Sequence, residues 1–409
     1  MTFLFTKMMT LNGYLGCFVM KNTALELSAH LSSVAQSSIE KDQRHQITFC
    51  RDLASDFNCP LLVMSKQRLR DNARRFMTAM PRVRPHFAVK SNPHPEVLRC
   101  FKDEGVYFEV ASSAELDALT ELGCSMDTIF YSNPIKCPAS IRYAASKGVT
   151  WYAVDSIEEV HKIADIKPDA KLYIRTEVSN EGSTWPLAGK FGANSEEIDD
   201  IIRCCKKLAM QLSGVTFHVG SQCNNKDNWI SGIRLSVAIF DKLIAHDFVP
   251  ELLNLGGGYP LQLTGEEPTI EEIGAVINSE LQSVPEHIQI MAEPGRFLVG
   301  SAGCLMSQVV GIASRGRQRW LYLDTGVYGG LLELSQHFPA SVFSDRTGEQ
   351  GEWTLAGPTC DAIDVLGKHQ LPLTMQVEDR VYVPNMGAYS TSCSTEFNGF
   401  PAPAVAFSD

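Results

Sequence analysis

Lys90 closes the apolar run HFAVK. An ammonium buried without a partner is costly, and desolvation drives its pKa down. A lysine neutralised in this way is the nucleophile of Schiff-base chemistry, whereas a snorkelling or ion-paired lysine is the plain alternative. Glu293 ends a second run, IQIMA, where a carboxylate needs a cation. Arg296, three residues on, is one candidate, and the protonated pyridine nitrogen of a bound ring is another. His218, followed by Gly220 and Ser221 in FHVGS, has the residue types to set an imidazole against a flat ring and a hydroxyl on a phosphate. A histidine satisfied within the core is the alternative.

Three glycines, Gly256, Gly257 and Gly258, follow LLNL. They permit close backbone approach, and their amides, expected near the start of the next helix, suit a phosphate. The run lacks the G-x-G-x-x-G spacing of a dinucleotide site. Glu109 in YFEVAS and Arg175 in LYIR also stand at strand-like ends. Further on, GPTCDAIDVL sets Cys360 beside Asp361, and PNMGAYS carries Tyr389. Both read as functional loops, although a buried thiol and a turn aspartate are the alternatives.

These residues need a scaffold that gathers strand ends. Eight apolar, β-branched or aromatic runs (HFAVK, YFEVA, TIFYS, TWYAV, KLYIR, VTFHV, LLNLG, IQIMA) alternate with amphipathic stretches such as SAELDALTEL and SEEIDDIIRCCKKLAM. That is the pattern of an α/β fold with a (β/α)8 TIM-like barrel, whose reactive groups sit where strands run into the following loops. A doubly wound open sheet is the alternative. After Phe297 the helical period fades, and CLMSQVVGI, RWLYLD, EWTLAG and RVYVPN predict a C-terminal β-sandwich or β-barrel domain. The expected layout is an N-terminal extension over 1–45 and a lead-in strand and helix over 46–85. The barrel follows over 86–297, then the β domain over 298–409. CPLLVMS, in the lead-in, is expected to pair with the β domain.

At 409 residues and 44% hydrophobic, the chain can bury a large core. A formal charge of −11 offers no basic stripe for nucleic acid or an anionic membrane, so neither is an expected partner. The 12 cysteines show no metal or disulfide spacing, so no metal is expected and a reducing cytoplasm is. The apolar opening, with Lys7 its first basic residue, lacks a clear cleavage site and reads as an extension or as translation from Met20.

Together AVKSN, FEVAS, FHVGSQ, NLGGGYP, AEPGRF, GPTCDAID, NMGAY and FNGF, in that order over about residues 60 to 400, resemble the ornithine, lysine, diaminopimelate and arginine decarboxylases with an alanine-racemase-like barrel. The resemblance implies pyridoxal 5'-phosphate carried on Lys90, with Glu293 on the pyridine nitrogen and His218 stacked on the ring. It puts Ser221, the amides of Gly256 to Gly258, Gly295, Arg296 and Tyr389 around the phosphate. Glu109 and Arg175 lie near the ring, Glu109 standing where the eukaryotic ornithine enzymes have aspartate. It further implies a head-to-tail homodimer in which Cys360 and Asp361 complete the other subunit's site, Cys360 delivering a proton and Asp361 meeting a distal ammonium. Tyr328 and Phe397 join the substrate end.

Asp361 followed by Ala362, in place of the Glu-Ser usual after the cysteine in diaminopimelate decarboxylases, favours a distal ammonium without a carboxylate, hence ornithine or lysine. One segment departs from the family. Between GVYGG and GPTCD the Tyr-Asp-His run of the eukaryotic enzymes is replaced by LLELSQHFPASVFSDRTGE, where Glu333 is the candidate second acid. The alternatives are a related substrate such as diaminopimelate, arginine, a D-amino acid or a siderophore precursor, an amino acid racemase, or a non-catalytic regulator like the antizyme inhibitors. A racemase would lack the Gly-Pro-Thr-Cys-Asp segment, and a regulator can lose the lysine or cysteine present here.

Overall fold

The computed structural model describes residues 36–53, 60–187 and 189–409. Most of the expected N-terminal extension, with the alternative start at Met20, therefore lies outside the described residues. Residues 36–53 are helical, and the helix runs through the position expected to end the N-terminal extension. Its apolar face, with Ile47 and Cys50, packs on Val63, Cys304, Met306 and Tyr382.

β1 (Leu61–Ser65) precedes the barrel. The barrel strands are β2 (Arg84–Ala88), β3 (Tyr107–Val110), β4 (Phe130–Tyr131), β5 (Trp151–Val154) and β6 (Lys171–Arg175). β7 (Ser183–Trp185) and β9 (Ser221–Cys223) form a separate two-stranded antiparallel sheet on either side of β8 (Gln211–Thr216) in the chain, and β10 (Leu252–Asn254) and β11 (Gln289–Ala292) complete the set. The eight strands other than β7 and β9 close on themselves in the order β10-β11-β2-β3-β4-β5-β6-β8. Each of the eight expected runs contributes to a barrel strand, VTFHV only through Val215 and Thr216 at the end of β8, and the open-sheet alternative fails because β11 pairs with β2.

Side chains fill the barrel rather than leaving a pore: Phe130, Trp151, Tyr173, Leu252 and Met291 form one cluster. Burying each such large apolar side chain contributes about 2–3 kcal/mol. Several of the intervening helices start where the sequence supplies caps. Ser112 accepts from Glu115 N–H ahead of Ser113–Glu121, and Asn194 forms a capping box with Glu197 ahead of Ser195–Lys207.

β12 (Gly303–Arg315), β13 (Gln318–Leu323), β14 (Phe343–Ser344), β15 (Gln350–Ala356), β16 (Val365–Pro372), β17 (Arg380–Pro384) and β18 (Ala404–Ser408) join β1 in one eight-stranded mixed sheet. β1 pairs with β12 and β18, as expected of CPLLVMS. The long β12 holds β17 along its first half and β13 along its second, with a register shift between Val309 and Gly311. Among the described residues no helix is long and apolar enough to cross a membrane.

Candidate active site

A cavity of about 680 Å³ opens at the C-terminal ends of the barrel strands. Its wall takes Lys90 from the turn after β2, Ser132 after β4, Arg175 at the end of β6, His218 after β8, Gly257 and Gly258 after β10, and Glu293 after β11. Ser221, Gly295, Arg296, Glu333 and Tyr389 also line it.

The Lys90 side chain is 46% exposed, and its Nζ donates to the buried Glu109 at 2.9 Å. Desolvation lowers the Lys90 pKa, but the electrostatic pull of Glu109, helped by Tyr389 and Glu293, outweighs it and raises the pKa above the usual lysine value. The expectation of a lysine neutralised by burial is thus corrected: the ion pair keeps the ligand-free amine protonated. The Glu109 carboxyl is pushed up to about 7 by burial, against the pull of Lys90. Its Oε2 is buried with no partner among the described residues.

Glu293 does not pair with Arg296. Its Oε1 accepts from Asn254 Nδ2 at 2.6 Å and Ser132 Oγ at 2.5 Å, while its Oε2 has no hydrogen-bond partner among the described residues. A buried carboxylate with one free oxygen on a cavity suits a ring N–H. His218 accepts at Nδ1 from the Gly220 N–H (3.0 Å), and burial, with Arg175 and Lys90 nearby, pushes its pKa well down. It is therefore a neutral imidazole, suited to a flat aromatic partner. The Arg175 guanidinium lies 5.2 Å over Phe191 and makes no hydrogen bond among the described residues.

The glycine run differs from expectation. The next long helix begins only at Ile270, so Gly256 to Gly258 do not form a helix start. Packing and backbone conformation require them: a Cβ at Gly256 would meet Phe217 O at 2.0 Å and one at Gly258 would meet Gly220 O at 2.3 Å, both with positive φ. The Gly256 N–H is donated to Asn254, which leaves Gly257 and Gly258 as the glycines of this run on the cavity.

Arg296 is a deeply enclosed cation on the cavity wall. Nη1 and Nη2 hold Glu333 at 2.7 and 2.5 Å, Nη2 reaches Ser221 Oγ at 3.4 Å, and Trp185, Phe338 and Tyr389 lie around its guanidinium. Glu333 therefore reaches the cavity, but already engaged.

Cys360, Asp361, Tyr328 and Phe397 are absent from the cavity wall. They gather at a different surface: Tyr328 Oη donates to Asp361 Oδ2 at 2.6 Å, and the rings of Tyr328 and Phe397 are 4.5 Å apart. Cys360 is exposed, with its N–H donated to Asn398. The Tyr328 hydroxyl and the Ile363 N–H hold the Asp361 carboxyl below the usual range.

Sequence reading missed Ser132, Asn254, Trp185, Gln336 and Cys393. Ser132 ends TIFYS and Asn254 ends LLN, so the strand-end rule applies to both. Trp185, Gln336 and Cys393 come from irregular segments, where no periodicity marks them.

Residues 66–300 match the family model of the pyridoxal-dependent decarboxylases, over its pyridoxal-binding domain. The chain belongs to this family. The lysine/ornithine decarboxylase of Selenomonas ruminantium is 31% identical over 364 residues, covering 88% of this chain and 92% of that one. Among solved structures, lysine/ornithine decarboxylase of Vibrio vulnificus complexed with putrescine superposes with a TM-score of 0.82 at 30% identity, covering 89% of this chain and 98% of that one. The Paramecium bursaria Chlorella virus arginine decarboxylase bound to agmatine gives 0.83 at 29%, covering 89% and 100%. This chain is accordingly a pyridoxal-phosphate-dependent amino acid decarboxylase. The cavity fits that cofactor, with an amine in Lys90, a carboxylate oxygen left free on Glu293, a neutral ring in His218 and hydroxyl and guanidinium groups in Ser221 and Arg296.

Proposed function

We propose that this decarboxylase converts ornithine and lysine to the corresponding diamines and carbon dioxide, with the cofactor on Lys90. The observation that carries the reading is the meeting of Lys90, Glu293 and His218 in one cavity. The substrate assignment is supported by the relatives named for lysine and ornithine, and by Asp361, an ionised acid suited to a distal ammonium.

When bound, pyridoxal phosphate supplies the electron sink for the bond broken as carbon dioxide leaves. Glu293 holds a proton at the pyridine nitrogen, with Asn254 and Ser132 fixing its carboxylate so that no reorganisation is needed. His218 supports the ring face. Glu109 receives the Lys90 ammonium whenever the lysine is free, which keeps the amine in place for its return.

In the homodimer that completes this reading, the partner subunit's Cys360 protonates the substrate α carbon, and the partner subunit's Asp361, oriented by Tyr328, binds the distal ammonium. The free thiols and acidic charge fit a cytoplasmic enzyme. The test is amine and carbon dioxide release from L- and D-ornithine, lysine, arginine and meso-diaminopimelate, with Lys90→Ala as control. Release from L-ornithine or L-lysine that disappears in the variant supports the reading. A cofactor-loaded protein that turns over none of the panel sinks it.

A further inference from the structure

The Arg296–Glu333 pair has a consequence for how the cofactor enters. Both side chains line the cavity, and they are 4% and 12% exposed. The guanidinium cannot turn freely, since Trp185, Phe338 and Tyr389 lie 4.7, 5.1 and 5.1 Å from it. Its Nε is buried and unpartnered, closed off from solvent in the ligand-free cavity. The edge available to a ligand is therefore the Nη1–Nη2 edge, next to Ser221, and Glu333 occupies it with both oxygens. Two anions that both need one guanidinium edge repel each other, and in a partly dry site the repulsion is weakly screened.

We propose that Glu333 is a built-in stand-in for the cofactor's phosphate: it holds Arg296 while the site is empty, and the arriving phosphate displaces it into the cavity as a free acid for the substrate's distal ammonium. The inference rests on the function proposed above. The supporting segment stays put during the exchange, because Trp185 Nε1 donates to Gln336 at 2.9 Å and stacks on Phe338 at 5.7 Å. Only the Glu333 side chain, on the short helix Leu332–Ser335, has to move. Cofactor binding thereby switches on an acidic substrate subsite that the ligand-free chain keeps neutralised.

The test measures dissociation constants for pyridoxal phosphate and for pyridoxal, which lacks the phosphate, in wild type, E333Q and E333D. Loss of the competing charge in E333Q should tighten pyridoxal phosphate by about tenfold or more and leave pyridoxal unchanged. E333D, whose shorter arm weakens the bidentate grip, should tighten it less, and this keeps the test open if E333Q does not fold. With cofactor bound, E333Q should raise the KM for lysine or ornithine, an opposite sign that a merely structural residue would not give. Equal or weaker pyridoxal phosphate binding in the folded variants overturns the proposal, as does equal tightening of pyridoxal. If wild type binds pyridoxal phosphate but decarboxylates none of the panel, the proposed function and the substrate arm fail while the displacement arm is still decided by the constants. If it binds neither compound, both fail.

Discussion

The barrel cavity and the Cys360–Asp361 loop carry similar residue types in opposite surroundings. At the cavity Lys90 pairs with Glu109, Glu293 is held by Asn254 and Ser132, Arg296 is held by Glu333, and the Glu109, Glu293 and Arg296 side chains are largely buried. On the loop Cys360 is exposed, Phe397 is 41% exposed, and Asp361 is oriented by a tyrosine at a surface. Buried, mutually compensated charge suits a cofactor that must be held in one geometry. An exposed thiol and acid outside that cavity fit the proposed site that a second copy closes. On the function proposed above, the contrast corresponds to two half-sites on one chain, one for the cofactor and one for the substrate end.

The largest effect expected within the first half is at Lys90. Lys90→Ala should lower kcat on the order of 10³-fold or more and remove the visible absorbance of the bound cofactor. Substantial residual turnover would detach the chemistry from the barrel half. Glu293→Gln cannot stabilise a protonated ring nitrogen, so kcat should fall about 10²-fold while cofactor still binds, as read by absorbance and turnover together. An unchanged kcat would break the pairing assigned to that carboxylate.

In the second half the expected change is in binding. Asp361→Asn should raise the KM for lysine and ornithine roughly 10- to 100-fold with a smaller loss in kcat, because a charge-assisted bond to the ammonium is lost. A kcat-only effect would move Asp361 from substrate binding to chemistry.

The smallest effect concerns protonation. Glu109 raises the Lys90 pKa, so Glu109→Gln should lower it and enlarge the free-amine fraction at neutral pH. Cofactor uptake by the ligand-free protein, followed by absorbance, should then quicken severalfold near pH 7 and reach its plateau at lower pH than in wild type. An unshifted profile would show that the ion pair does not control the lysine.

The barrel was legible because each strand is a compact apolar run and several of the following helices bring their own caps, as at Ser112 and Asn194. The cavity residues were legible where a charged side chain interrupts such a run, as Lys90 and Glu293 do. Glu333 was nominated from its charge, but its engagement with Arg296 was not legible, because the contact joins positions 37 residues apart across an irregular segment. The protonation of Lys90 was misread for a related reason. Burial is visible in an apolar run, whereas the compensating Glu109 lies on the neighbouring strand, and pairing between strands is a property of the closed sheet. The edge strand β16, with Gly367, Lys368 and His369 at its middle, carries too little apolar alternation to stand out.

The most direct test of the two half-sites mixes Lys90→Ala with Cys360→Ala, each nearly inactive alone, after dissociation and re-association. If the loop of one copy completes the cavity of the other, half of the randomly paired dimers hold one intact site, and activity should return to roughly a quarter of wild type. No recovery in a mixture shown to contain mixed dimers would contradict the account, because the cavity and the loop would then not belong to one active site.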